Sequence, residues 1–208
     1  MRTLLQGVII LTAAGLAVAA QTNQEFRVDP AATSVVVQVG RAGLFKFAGH
    51  GHEVAAPGVV GRISLDSTDP SRSRVALQFD AKALKVTGKG EPAEDVAEVQ
   101  RTMLSERVLD VARYPTISFE SDRVAVQQRS AGSLTLRVDG RLTLHGVTKT
   151  VTIPVAVRQN GNRMTATGEA TVRQSDFGIQ PVSAGGGTVR VKDEVDVMFT
   201  IVAVSGGA

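Results

Sequence analysis

Hydrophobic and polar positions alternate with a period of two along most of the chain after residue 25, and this alternation predicts the fold. The clearest run sets Leu134, Leu136, Val138, Gly140, Leu142 and Leu144 against Thr135, Arg137, Asp139, Arg141 and Thr143. Such a pattern gives a strand one apolar and one wet face. It recurs in Val151, Ile153, Val155 and Val157, in Met164, Ala166, Gly168, Ala170 and Val172, and in Val195, Val197, Phe199 and Ile201. Asn160-Gly161, between two of these runs, predicts a hairpin. Shorter runs predict strands over residues 34–39, 59–65, 74–81 and 116–127, with turns at Asp69-Pro70 and Gly132-Ser133. The sum is about eight antiparallel strands.

One segment changes period. Between Pro92 and Leu109, Val96, Val99, Met103 and Leu104 recur at three- and four-residue spacing, and Pro92, Glu94 and Asp95 suit a helix start. One amphipathic helix is therefore expected between strands, with Pro115 beyond it as a stop. The expected class is mainly β: an eight-stranded antiparallel barrel with one inserted helix. Closure removes exposed sheet edges, and a sandwich is the alternative. A barrel of this size either fills with side chains or holds one small ligand. The inward set is mostly Val, Leu, Ile and Ala, with no Trp and one Tyr in the chain. Small inward residues leave room for a cavity, and they also fit a tighter barrel.

The first twenty residues stand outside this pattern. Met1-Arg2 precedes a nearly unbroken apolar run from Leu4 to Val18 that ends in Ala17-Val18-Ala19. This is the composition of a secretory signal peptide, cleaved after Ala19 or Ala20, with an uncleaved anchor as the alternative. Residues 21–208 carry no linker or repeat, so they are expected to form one domain. The chain has no cysteine, which leaves packing and hydrogen bonds to stabilise an exported protein. The formal charge of +3 is scattered, and no Lys/Arg cluster interleaves with aromatics, so nucleic acid is not an expected partner. Transient contact with an anionic membrane stays open, as does a homodimer through one barrel face.

Candidate chemistry is sparse. No cysteine nucleophile and no G-x-S-x-G elbow is present. Asp139, Glu169 and Asp196 fall on polar strand faces, and Glu106 and Asp110 near the helix end read equally as solvated. Gly185-Gly186-Gly187 lacks the Lys-Ser/Thr of a phosphate loop. Asp176-Phe177-Gly178 lacks the rest of a kinase set. The histidines are His50, His52 and His145. His50 and His52 would share one face of an extended segment, and a third ring would make a metal set. Nothing in the sequence brings His145 to them, and it falls in a turn that it can fix by bonding neighbouring backbone groups. Leu44, Phe45 and Phe47 lie between glycines, as a flap over a barrel mouth or as a plug completing the core.

Four stretches together resemble the YceI family of exported proteins: VLDVARYPTISFES (108–121), GRLTLHGVTKTVTIPV (140–155), RQSDFGI (173–179) and VKDEVDVMFTIVA (191–203). The opening FRVDPAATSVVVQV (26–39) is similar to that family's first strand, and His145 to its motif histidine. The resemblance implies a lipocalin-like barrel with an apolar tunnel, binding polyisoprenoids, isoprenoid quinones or other long amphiphiles. It also implies a periplasmic or secreted location, and it brings no catalytic set and no cofactor. The expected wall residues are Val35, Val37, Val39, Leu77, Phe79, Ile117, Phe119, Leu142, Leu144, Phe177 and Phe199, with Phe45 and Phe47 at the mouth. The expectation is a non-enzymatic carrier of a long-chain lipid, for transport, storage or protection. The alternatives are an exported metal-binding protein using His50, His52 and His145, and a lipid-modifying enzyme.

Overall fold

The computed structural model describes residues 23–42, 51–184 and 189–206. The expected signal peptide, the Leu44–Phe47 segment, His50 and the Gly185–Gly187 run lie outside them.

Long alternating runs become long strands, as their two-faced chemistry requires. In chain order the strands are β1 (Asn23–Val28), β2 (Ser34–Ala42), β3 (His52–Ala55), β4 (Val60–Asp66), β5 (Arg74–Asp80) and β6 (Lys85–Val86). After the helix α1 (Ala93–Leu104) come β7 (Thr116–Ser130), β8 (Ser133–Leu144), β9 (Val147–Asn160), β10 (Arg163–Arg173), β11 (Ser183–Ala184) and β12 (Val189–Ser205). Every pairing is antiparallel. Eight strands close a ring in the order β1-β4-β5-β7-β8-β9-β10-β12, and β12 returns to β1. The chain is thus a mainly β, closed eight-stranded antiparallel barrel with one α-helix.

Four strands lie outside the ring; of these the alternation marks β2, as residues 34–39, and not β3, β6 or β11. β2, β3 and β6 extend the sheet sideways from β12, and β11 pairs with the start of β12. On the edge opposite β10, the seventeen residues of β12 therefore serve two partners. Its last residues pair with β1, at Phe26↔Ser205 and Val28↔Ala203, and close the ring. Its earlier residues pair with β2, from Ser34↔Thr200 to Ala42↔Arg190. The barrel is consequently sealed at the β1 end and carries a three-stranded flap at the other.

The inward faces follow the predicted parity. On β8, Leu136, Val138 and Gly140 are buried while Thr135, Arg137 and Arg141 are exposed. At the sealed end Phe26, Val59, Met164 and Ala203 are each at most 2% exposed and fill the barrel across its width. β7 departs from simple alternation. Its register against β8 slips between Ser121 and Arg123 and again between Val126 and Gln128. The first slip moves the inward set from odd numbers (Ile117, Phe119) to even ones (Val124). The Ser121 hydroxyl accepts a hydrogen bond from the Val75 N–H at 2.8 Å beside that slip.

Helix α1 is shorter than the expected span of residues 92–109. Its last turn is closed by Ser105 N–H donating to the Arg101 and Thr102 carbonyls. The chain then folds back, with the N–H groups of Leu109 and Val111 donating to the carbonyls of Met103 and Leu104, and Asp110 adopts a φ of 43°. The helix is tied to the flap by one side chain. The Gln100 amide accepts from the Val86 N–H at 2.7 Å and donates to the Leu84 carbonyl at 2.9 Å, taking the place of a further strand on the β6 edge.

Candidate functional site

Apolar inward positions on the strands enclose a cavity of about 310 Å³ that runs from the sealed end to the flap and helix. Among the described residues, every lining side chain except Ser73 and Gln174 is apolar. Those two are already engaged: the Ser73 hydroxyl accepts from the Asp66 N–H at 3.1 Å, and the Gln174 amide donates to the Lys192 carbonyl at 2.8 Å. The volume falls at the lower end of the range for small-molecule sites.

The wall contains Val35, Val37 and Val39 from β2, Leu77 and Phe79 from β5, Ile117 and Phe119 from β7, Leu142 and Leu144 from β8, and Phe199 from β12. Phe45 and Phe47 are outside the described residues. Phe177 stands apart from the wall. It is 2% exposed at the end of a 3-10 turn, Gln174–Phe177, so its ring serves packing beside the cavity. The sequence did not single out the mouth, where Leu84, Met103, Val108 and Leu109 line the cavity from the flap and from the helix and its return. The apolar stripe of α1 was the signal for Met103. The return that brings in Val108 and Leu109 had none.

The described histidines have separate surroundings. His145 sits between β8 and β9 with a φ of 52°. Its Nδ1 is 3.1 Å from the Phe177 carbonyl oxygen, and its ring meets Tyr114 edge-on at 4.7 Å between centroids. The expected bonds to neighbouring backbone groups give way to this one contact with a carbonyl 32 residues away. His52 shares the face of β3 that carries Val54 but does not itself line the cavity. It is paired with Val39 across β2–β3 and lies two residues from Val54, and both valines line the cavity. Its Nδ1 stands 2.9 Å from Glu91 Oε2, close enough for an ion pair but without hydrogen-bond geometry. The Glu91 side chain is 1% exposed, and its Oε1 has no hydrogen-bond partner. Among the described residues, no three His, Asp or Glu side chains gather where they could hold a metal ion.

The outer face of β3 is polar and well paired. Glu53 accepts from the Gln38 amide at 2.7 Å and from the Thr87 hydroxyl at 3.1 Å, with Lys89 Nζ at 3.4 Å. These bonds, the one from Gln38 foremost, hold its carboxyl below the usual range. No helix among the described residues is long and apolar enough to cross a membrane.

Comparison with known proteins agrees with this architecture. The family model for the YceI-like domain matches residues 26–203. A UPF0312 protein of Pseudomonas savastanoi pv. phaseolicola is 30% identical over 145 residues, covering 67% of each chain. Burkholderia cenocepacia BcnA superposes with a TM-score of 0.67 at 23% identity, covering 85% of this chain and 99% of its own. A polyisoprenoid-binding domain from Saccharophagus degradans, implicated in plant cell wall breakdown, superposes with a TM-score of 0.62 at 12% identity, covering 87% and 98%. At those identities the two structures show a shared fold.

Proposed function

Because this chain belongs to the YceI-like domain family, we propose that it is an exported, non-catalytic carrier holding one long apolar amphiphile of isoprenoid type in its barrel. The observation that carries the proposal is the cavity wall, apolar from end to end with its two polar side chains already bonded within the protein. Such a wall recognises a chain by burial alone. Each buried methylene contributes about 0.8 kcal/mol, so a long chain binds without a dense set of polar contacts. The polyisoprenoid-binding description of the Saccharophagus domain supports the ligand class. The apolar run at residues 4–18 supports export to the periplasm or beyond. A binding role is supported by the described wall, which is apolar apart from Ser73 and Gln174.

The test is native mass spectrometry of the protein purified gently from its own host, followed by organic extraction. The expected result is a long-chain isoprenoid or isoprenoid quinone at one copy per protein. Protein that arrives without lipid, and takes up none from an extract of its host, would overturn the proposal.

A further inference from the structure

Glu91 is an expensive group to bury as it stands. A carboxyl group offers two oxygens and about four acceptor sites. Here the side chain is 1% exposed, one oxygen faces His52 Nδ1 at 2.9 Å, and the other has no partner. A buried acceptor left unpaired costs about 1–3 kcal/mol, more if it is charged. Glu91 follows the flap strand β6 and immediately precedes α1, while His52 sits on the cavity-facing side of β3. His52 lies directly across from Val39 and two residues from Val54, so the pair adjoins the apolar wall without itself lining the cavity. Among the described residues, no Lys or Arg lines the cavity. Lys89, two residues before Glu91, is paired with Glu53 on the opposite face of β3.

We propose that His52 and Glu91 form the head-group subsite of the tunnel, and that it selects an amphiphile whose head donates a hydrogen bond, such as a free alcohol, over one with a phosphorylated head. This rests on the carrier function proposed above and adds the chemistry of the ligand's polar end. A hydroxyl placed here donates to Glu91 Oε1 and satisfies the unpaired acceptor. A phosphate presents only further acceptors and negative charge to a buried carboxyl group, whose one ion-pair partner among the described residues is the His52 imidazole. A hydrocarbon leaves Oε1 as it is.

The experiment compares three probes that share one chain: geranylgeraniol, geranylgeranyl diphosphate and the corresponding hydrocarbon. Affinities are measured by competition on the delipidated full-length protein, the Glu91→Leu variant and the Glu91→Gln variant. Wild-type protein is expected to bind the alcohol at least about tenfold more tightly than the hydrocarbon, as one hydrogen bond to a buried charged or acceptor group provides. The diphosphate is expected to be weaker than the alcohol. Glu91→Leu should bring the alcohol-to-hydrocarbon ratio towards one, and Glu91→Gln, which keeps an acceptor oxygen, should retain part of the preference. The ratio is taken within each protein, so a change in overall stability does not imitate the effect.

Equal affinity for alcohol and hydrocarbon in the wild type would overturn the subsite and leave the carrier standing. So would an unchanged ratio in Glu91→Leu, or a diphosphate that binds most tightly. Failure of all three probes to bind would overturn both proposals.

Discussion

Two inward-facing glycines, Gly140 and Gly168, shape the cavity by what they lack. A Cβ on Gly168 would sit 2.5 Å from Phe199 Cζ and 2.6 Å from the Pro154 carbonyl oxygen. One on Gly140 would sit 2.6 Å from Phe119 Cζ and 2.5 Å from the Glu120 carbonyl oxygen. In each case a phenyl ring lies over the neighbouring strand where a side chain would otherwise stand. Gly168→Ala is expected to destabilise the protein by about 1–3 kcal/mol through overpacking. Adding Phe199→Leu should recover part of that loss, because the ring clash goes and the carbonyl clash stays. Urea denaturation of the single and double variants checks this, and additive losses would show that the ring is not the obstacle. The alternation marked Gly140 and Gly168 as inward positions, and it marked Phe119 and Phe199 as inward rings. What it could not show was that each ring occupies the glycine's place. That depends on register between strands, which no single strand encodes. Val124 was missed for a related reason, since the slip after Ser121 changes which parity faces inward.

Among the elements, length decided what could be read. Strands of eleven to seventeen residues, such as β7, β8, β9, β10 and β12, carry enough alternation to stand out. β3 has four residues and β6 has two, too few for any period, and they exist because the β12–β2 edge offers them pairing. Glu91 was equally illegible, since a lone carboxyl in a polar turn reads as solvated until the flap and helix are in place. The link between β4 and β5 shows how a short segment is held without alternation. Asp66 accepts hydrogen bonds from the Asp69 and Thr68 N–H groups and the Thr68 hydroxyl, at 2.8, 3.0 and 2.8 Å. These bonds, that from the Asp69 N–H foremost, hold its carboxyl below the ordinary carboxylate range. A carboxyl depressed in the folded state stabilises the fold above its unfolded value and loses that contribution as pH falls through the folded value. The contribution is thus complete near neutrality and fades below about pH 4. Asp66→Asn should lower the urea midpoint at pH 7 and show a smaller drop between pH 7 and pH 3 than the wild type. An unchanged drop would place the acid sensitivity in Asp139 and Asp193, whose carboxyls are likewise depressed, chiefly by hydrogen bonds from Thr152 and Ser175 respectively.

For the whole molecule, the barrel is an apolar shell around an interior that its own side chains do not fill. Buried apolar surface without contacts on one side forfeits dispersion attraction. A ligand that fills the space and binds only the folded state stabilises it by mass action, by about 2.7 kcal/mol at a hundredfold excess over the dissociation constant. Delipidated protein is therefore expected to melt at a lower temperature than protein carrying its lipid, with the difference restored by adding lipid back. Calorimetry on the two forms measures this, and identical transitions would mean that the cavity contributes nothing to folding. Closure was expected because about eight strands would otherwise leave exposed edges, yet the runs that marked them included β2, which lies outside the ring, and missed β1, which closes it. The three-stranded flap was not legible, because its position depends on how β12 divides its two halves.

That division of β12 separates two demands that usually compete. The seam with β1 closes the ring, and the seam with β2 attaches the flap. In the carrier proposed above, substitutions along Val35–Val39 would retune the lifetime of the cargo while Phe26 and Ala203 keep the container intact. Retention and durability can therefore be inherited, and changed, independently of one another.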